Sequence, residues 1–219
     1  IGGITTKLRL ITGVLVLPQR NPVVLAKQLA TIDHLTEGRL ELGVGVGWLE
    51  EEFEAIGVPF TRRGARMDEY IKSMRALWDQ HNASFDGEFV SFNNMNCSPK
   101  PYKGRVPIII GGHSPKAARR AALLGDGFFP ATGTQTDISP IIKIMHEEAK
   151  TIDRDPKTIE LTTGCPGALP GSKVNPLSAI EERIAAGVDR IALPVNAFMD
   201  NIEEQLASFS ESVIQKING

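Results

Sequence analysis

The stretch LRLITGVLVLPQRNPVVLAKQLATIDHLTEGRLELGVGVG, residues 8–47, decides the fold class. It holds two runs rich in branched apolar residues, Leu8–Leu17 and Arg39–Gly47. Between them, apolar residues recur at helical spacing from Pro22 until Gly38. Branched apolar runs of this length are typical of buried parallel strands, and Pro and Gly favour the two ends of a helix. The stretch therefore predicts a strand–helix–strand unit.

The rest of the chain repeats this alternation. Further strands are predicted at Val106–Gly112, Gly127–Ala131, Ile159–Cys165 and Arg190–Val195, and helices at Thr61–Gln80, Pro115–Leu124, Ile138–Ile152, Leu177–Ala186 and from a capping box at Asp200 and Glu203 onward. A small hairpin is predicted at about residues 83–96, with Asp86-Gly87 as a two-residue turn. Six strand–helix units without a break in composition predict an α/β protein with a parallel sheet, in a single domain over residues 1–219.

Two architectures fit six units: an open, doubly wound sheet, and a (β/α)8 barrel from which pieces are missing. A barrel needs eight units and about 250 residues, whereas this chain has 219. Ile1-Gly2-Gly3 leads almost directly into the first strand, so we expect that an N-terminal piece of a barrel is absent from this sequence. The number of units alone does not choose between the two.

Composition excludes several classes of function. The formal net charge is −2 with 23% charged residues, so the chain has no electrostatic reason to bind nucleic acid or an anionic membrane. Its apolar runs are too short to span a bilayer. Two cysteines, Cys97 and Cys165, make neither a disulfide framework nor a metal cluster. We expect a cytoplasmic protein with reduced thiols, no metal site, and a small molecule as its ligand.

Three glycines at alternate positions of one strand, Gly43, Gly45 and Gly47, leave one strand face bare. In parallel α/β folds ligands bind at the carboxyl ends of strands, so a flat ring would fit there. Close packing of a neighbouring segment explains the glycines equally well. A dinucleotide-binding fingerprint is excluded, because Trp48 and Glu50 stand where its last glycine would be.

The run Gly111-Gly112-His113-Ser114-Pro115 is the strongest local signal for a binding site. Ser114 fits a helix N-cap with Pro115 at the first helical position, and free amides at such a helix start suit a phosphate. The alternative is a helix that is merely well capped. No lysine follows at P-loop spacing, which excludes a nucleotide-hydrolysing site. Thr132 and Gly133 would complete a phosphate or ribityl site, or would only form the loop before the next helix.

Several motifs occur in an order that is characteristic of one family. They are Thr12–Pro18, Arg20–Pro22, Asp33–Leu35, Gly38–Leu40, Leu42–Trp48, Ile109–Gly112 and Leu124–Gly127. Together they resemble the luciferase-like monooxygenase family, most closely its coenzyme F420-dependent branch, over roughly residues 5–134. The resemblance implies a TIM (β/α)8 barrel of the bacterial-luciferase type, with about six of the eight strand–helix units in this chain.

The resemblance also implies where a flavin or deazaflavin would bind. The first strand would carry a bulge with a cis peptide at Gly13–Val14 that backs the ring. The residues that match the family's other cofactor contacts are Val46 and Gly47 beside the ring, Gly111, Gly112, His113 and Ser114 around the phosphate, and Thr132 and Gly133 in the next phosphate-side loop. No catalytic residue is assigned, because the absent units usually carry the acid–base residue. Trp48 replaces the glutamate of the family's sugar-phosphate dehydrogenases, which argues against their substrate.

Three functions follow as hypotheses. The first is F420-dependent hydride transfer to or from an unidentified small organic substrate. The second is an FMN-dependent monooxygenase that uses reduced flavin and oxygen. The third, from another class, is a non-catalytic or degenerate flavin- or F420-binding barrel, which the missing front end would explain. The resemblance also implies a homodimer. The amphipathic helix Thr61–Gln80 would contribute to it, but packing of this helix on the barrel explains its apolar face equally well.

Overall fold

A curled sheet of parallel strands lies at the centre of the protein, in a computed structural model that describes residues 1–130 and 137–218. The strands are β1 (Leu10–Ile11), β2 (Leu15–Val16), β3 (Leu40–Gly45), β4 (Ala83–Asp86), β5 (Ser91–Met95), β6 (Ile108–Gly111), β7 (Gly127–Phe129), β8 (Glu160–Gly164) and β9 (Arg190–Ala192). The parallel sheet has the order β1-β3-β6-β7-β8-β9, and β2 also pairs with β3. Strands β4 and β5 form a separate antiparallel hairpin.

Helices connect the strands of the sheet. They are α1 (Pro22–Leu35), α2 (Glu50–Ala55), α3 (Arg63–Asp79), α4 (Pro115–Leu124), α5 (Ser139–Thr151), α6 (Pro176–Ala185), α7 (Ile202–Phe209) and α8 (Gln215–Asn218). A π-helical turn, Ser210–Ile214, joins α7 to α8. None of the described helices is long and apolar enough to cross a lipid bilayer.

The main apolar core lies between β3, β6 and the surrounding helices. Leu42 and Val44 of β3 pair in register with Ile108 and Ile110 of β6, and all four side chains are fully buried. They pack in one cluster with the buried face of α3, including Met74. Because side chains alternate along a strand, Glu41, Gly43 and Gly45 face the other side of the sheet.

Contacts across the sheet show that it curls. Arg190 of β9 donates two hydrogen bonds to Glu41 of β3, at 2.8 and 3.1 Å, although β6, β7 and β8 lie between these strands in the sheet. Side chains of strands that are not neighbours meet only when the sheet bends round toward itself. The architecture is therefore a partial barrel, as the family resemblance implies, and the doubly wound alternative is wrong.

The first predicted strand, Leu8–Leu17, is in fact two short strands with a bulge between them. Leu10 pairs with Leu40, but Leu15 pairs with Val44, so the first segment holds one extra residue between the two pairs. This extra residue lies at the break Thr12–Val14, where the peptide bond Gly13–Val14 is cis. The bulge and the cis peptide that the resemblance implied are both present.

The hairpin is present, but its turn differs from the prediction. The loop between β4 and β5 has four residues instead of the two-residue Asp86-Gly87 turn. The carboxylate of Glu69, on α3, accepts hydrogen bonds from the backbone amides of Glu88, Phe89 and Val90 at 2.9, 2.6 and 2.8 Å. These bonds hold the wider loop against the helix.

The capping box predicted at Asp200 is also wrong. Asn201 precedes α7, and its side chain does not cap the helix. The side chain of Asn201 instead donates a hydrogen bond to Glu204. The terminal helical segment is then interrupted by the π-helical turn at Ser210–Ile214 rather than continuous.

Candidate functional site

The side chain of Val14 lies where the carboxyl ends of three strands meet. A Cβ atom built on Gly45 would lie 3.0 Å from one methyl group of Val14, and a Cβ built on Gly111 would lie 2.9 Å from the other. Glycine at both positions therefore leaves room for Val14. The valine remains 39% exposed, so it presents an apolar surface at the mouth of the partial barrel.

Close packing explains Gly43, in β3, and Gly47, just after β3. A Cβ on Gly43 would lie 2.0 Å from the Thr12 carbonyl oxygen, and a Cβ on Gly47 would lie 2.7 Å from Val16 and 2.8 Å from Phe53. Gly47 also has a φ of +78°, which disfavours other residues. The segment that contains β2 thus fills the space over these glycines. The sequence left two explanations open for these glycines, a ligand on the bare strand face or close packing of a neighbouring segment. For Gly43 and Gly47 the structure shows close packing.

The start of α4 has the predicted geometry. The Ser114 hydroxyl accepts a hydrogen bond from the amide of Ala117 at 3.2 Å, and Pro115 occupies the first turn. Gly112 approaches the helix with a φ of +126°. The prediction of a capped helix that follows a glycine turn is confirmed.

The donors at this helix start fit a phosphate group. The amide of Gly112 is bonded to the Phe129 carbonyl at 3.1 Å, whereas those of His113 and Lys116 have no backbone acceptor within the described part of the chain. Unpaired amides and the positive end of the helix dipole attract an anion. Thr132 and Gly133, predicted for the next phosphate-side loop, lie outside the described residues.

A cavity of about 730 Å³ lies between the two edge strands of the sheet, β1 and β9. In the described part of the chain its lining includes Ile11, Thr12, Gly13, Phe129, Pro130, Ile138, Thr162, Thr163, Gly164, Cys165, Pro166, Leu169, Arg183, Arg190, Ile191, Ala192, Leu193 and Pro194. This volume and this largely apolar wall suit a small organic molecule. Gly13 is the one described residue of the predicted cofactor set that lines it.

Four charged side chains form the floor of the partial barrel. Besides its bonds to Glu41, Arg190 contacts Glu160 at 2.5 Å, and Arg9 contacts both Glu160, at 3.0 Å, and Glu41. Burial opposes the charge of Arg9, but its contacts with Glu160 and Glu41 outweigh burial and raise the pKa of its guanidinium. The floor is neutral overall. No sequence motif predicted this cluster; its one signal is the presence of two charges, Glu41 and Arg190, within apolar strands.

Val46 and His113 are placed differently from each other. Val46 is half-buried and packs against the main apolar core, whereas His113 is exposed. Of the predicted cofactor contacts, Val14 and Gly111 lie against each other. Gly112 and Ser114 lie close by, because they follow Gly111 in the chain. Gly47 lies in the turn after β3, where its positive φ favours glycine. The roles of all these residues in cofactor binding stay predictions.

Known proteins share both sequence and fold with this chain. An uncharacterized protein of Mycobacterium tuberculosis is 37% identical over 153 residues, which cover 69% of this chain and 54% of that protein. The FMNH2-dependent dimethylsulfone monooxygenase of Pseudomonas putida is 41% identical over 129 residues, 57% of this chain and 35% of that protein. The chain thus spans about half the length, or less, of these curated relatives.

Among solved structures, the coenzyme F420 dependent tetrahydromethanopterin reductase of Methanopyrus kandleri superposes with a TM-score of 0.82. The alignment covers 98% of this chain and 85% of that one, at 15% identity, and so shows a shared fold. The sequence profile described as luciferase-like monooxygenase matches residues 1–169. This match covers most of the chain, and the chain therefore belongs to the luciferase-like monooxygenase family.

Proposed function

We propose that this chain binds coenzyme F420 at the carboxyl end of its sheet and catalyses hydride transfer between this cofactor and a small organic substrate. The observation that carries the proposal is the contact between Val14 and Gly111. It joins an apolar platform directly to the glycine turn that leads to Ser114 and the free amides of α4. A flat ring that carries a phosphate-bearing tail needs these two features side by side.

The residues of the chain have separate tasks in this proposal. Val14 supports the ring, and the amides around His113 and the hydroxyl of Ser114 bind the phosphate. When bound, the cofactor supplies a ring carbon that donates or accepts a hydride. The protein contributes orientation and excludes water.

The cavity beside Gly13 is the proposed substrate pocket. Its described wall is largely apolar. The charge of Arg190 on its floor is neutralised within the cluster of Arg9, Glu41 and Glu160, and Arg183 adds one further cation to the lining. An uncharged organic substrate fits this environment better than a sugar phosphate, since a desolvated phosphate dianion needs more than the single positive charge that Arg183 provides.

A second candidate is an FMN-dependent monooxygenase. It is favoured by the 41% identity to the FMNH2-dependent dimethylsulfone monooxygenase of Pseudomonas putida, which is well above the 15% identity to the F420-dependent reductase. The ring platform and the phosphate donors serve FMN as well as F420. The two candidates differ in the ring that is preferred and in the need for oxygen.

Parallel fluorescence titrations with oxidised F420 and with FMN test the proposal. Saturable binding of F420 that is tighter than that of FMN supports hydride transfer, and tighter binding of FMN supports the monooxygenase. Binding of neither ring contradicts both. Binding without turnover of alcohols, ketones or sulfones would favour the degenerate barrel.

The family resemblance also supports a homodimer as the active form. Exposed apolar side chains on α1, Val24 and Leu35, are available for such contacts. Light scattering of the purified chain, with and without cofactor, tests this assembly.

A further inference from the structure

The two tryptophans of the chain are in opposite environments. Trp78 is 2% exposed, and its indole nitrogen donates a hydrogen bond to the Ala26 carbonyl at 3.1 Å. Trp48 is 83% exposed. Trp has a large apolar surface and is highly buried on average, so an indole left this open offers a contact surface to a ligand or a partner.

The backbone that carries Trp48 is held firmly. The preceding Gly47 packs against Val16 and Phe53, at distances that leave no room for a Cβ. Phe53 itself is fully buried. The turn at residues 47–48 is therefore part of the packed structure, and the indole is exposed for a reason other than a loose segment.

Arg63 holds the same turn from the other side. Its Nε donates a hydrogen bond to the Gly47 carbonyl at 3.0 Å, and its guanidinium lies 3.8 Å from the ring centroid of Phe60. Phe60 in turn packs edge-to-face on Phe53 at 5.3 Å. Three aromatic or cationic side chains thus fix the position from which the indole projects.

This position is at the carboxyl end of β3, the end of the sheet at which Val14 and Gly111 meet. The charges around the site indicate where the phosphate and the ring of a bound cofactor would lie. Glu50, Glu51 and Glu52 follow Trp48 after Leu49, and their three negative charges exceed the one positive charge of Arg63 at this turn, which disfavours a phosphate nearby, whereas the start of α4 favours one. The uncharged ring is the part that suits the side of Trp48.

We infer that Trp48 forms an aromatic wall of the cofactor site and stacks against the flat ring of the bound cofactor. This inference rests on the proposed function and adds a residue to it. A rigid indole has few rotatable bonds, so stacking brings a large contact area at a small loss of conformational entropy. Trp48 would then contact the cofactor directly and hold its ring on the side where Val14 lies.

Affinities of four proteins for FMN and for F420 test the inference: wild type, Trp48→Ala, Trp48→Phe and the control Tyr102→Ala. Tyr102 is also an exposed aromatic residue, at 53%, but it precedes β6 and lies beside His34 at the amino end of the sheet. Calorimetric titration gives the dissociation constants without any turnover. Urea unfolding of each variant checks that the fold is unchanged.

We expect Trp48→Ala to weaken binding of the preferred cofactor about 10-fold, which is the effect of losing one stacking contact. The dissociation constant of Trp48→Phe should stay within about 3-fold of the wild-type value, because a phenyl ring can still stack. The dissociation constant of Tyr102→Ala should equal the wild-type value. If the wild-type chain binds a cofactor and Trp48→Ala binds it equally well, the inference is wrong and the proposed function stands. If the wild-type chain binds neither cofactor, the proposed function fails and the inference fails with it.

Discussion

Arg190 and Glu41, 149 residues apart in the chain, form a two-pronged ion pair across the interior of the curled sheet, with N–O distances of 2.8 and 3.1 Å. Glu41 is 3% exposed. Strand β9 is one edge of the sheet, and β3 lies beside β1 at the other edge. The pair therefore holds the edges of the partial barrel at the separation that shapes the cavity between them.

Replacing Glu41 by Gln should destabilise the protein. The change leaves Arg190 and Arg9 with Glu160 as the remaining carboxylate in the cluster, and unpairing buried charge is costly. Because both arginines keep some contact with water, we expect a loss of about 2–3 kcal/mol in the free energy of unfolding, measured by urea denaturation. Glu147→Gln, which breaks an exposed pair with Lys143, is the control and should change stability by less than about 0.5 kcal/mol. Equal effects of the two changes would contradict the structural role of Glu41.

Gly43→Ala should be among the most damaging single-methyl additions in the sheet. The new Cβ would lie 2.0 Å from the Thr12 carbonyl oxygen, and moving Thr12 away would break the 2.7 Å hydrogen bond from its hydroxyl to the Gly43 carbonyl. We expect a loss of about 3 kcal/mol. Gly3→Ala is the matched control, because its Cβ would meet nothing within 4 Å. A Gly43→Ala protein with the melting temperature of wild type would show that β1 and β3 are not packed as described.

Two substitutions of Ser114 separate its structural role from its binding role. Ser114→Ala removes the N-cap of α4 and should cost about 1 kcal/mol of stability. Ser114→Asp keeps a good N-cap, so stability should stay near that of wild type, but its negative charge should repel a phosphate. FMN should then bind at least about 10-fold more weakly, which corresponds to 1.4 kcal/mol, while riboflavin, which has no phosphate, should bind as before. A loss of riboflavin binding that equals the loss of FMN binding would place the phosphate elsewhere.

The sequence predicted well what local signals determine. The strands and helices follow from apolar spacing and from end signals such as Pro22 at the start of α1 and Ser114 before α4, and these act over a few residues. The bulge at Gly13 was expected through the family resemblance. The prediction of a two-residue hairpin turn was wrong, because Glu69 of α3 accepts hydrogen bonds from three backbone amides of the loop and so stabilises a wider turn.

What depends on the curl of the sheet was not predicted. The ion cluster of Arg9, Glu41, Glu160 and Arg190 forms only when the sheet bends, and no local pattern records that bend. The glycines of β3 were ambiguous for the same reason. Whether a bare strand face meets a ligand or a neighbouring segment is decided by where Thr12 and Val14 come to lie.

Cys97 should make stability depend on pH in the alkaline range. Its thiol is 5% exposed, and burial raises its pKa against the smaller opposing influence of Lys100 and Lys27. In the unfolded chain a thiol ionises near pH 8.5, so above that pH the unfolded state loses a proton that the folded state keeps. The contribution of Cys97 to the free energy of unfolding should therefore be constant below about pH 8 and fall as the pH rises toward the folded-state pKa.

Urea unfolding of wild type and Cys97→Ala between about pH 7 and pH 10 measures this contribution. Each curve is referred to its own value at pH 7, which removes the cost of the truncated side chain. Tyr70, whose pKa burial also raises, is present in both proteins, so the difference between the curves belongs to Cys97. The wild-type curve should fall more steeply than that of Cys97→Ala, because only the wild type has this thiol to ionise on unfolding. Parallel curves would mean that the Cys97 thiol is as free to ionise in the folded protein as in the unfolded chain.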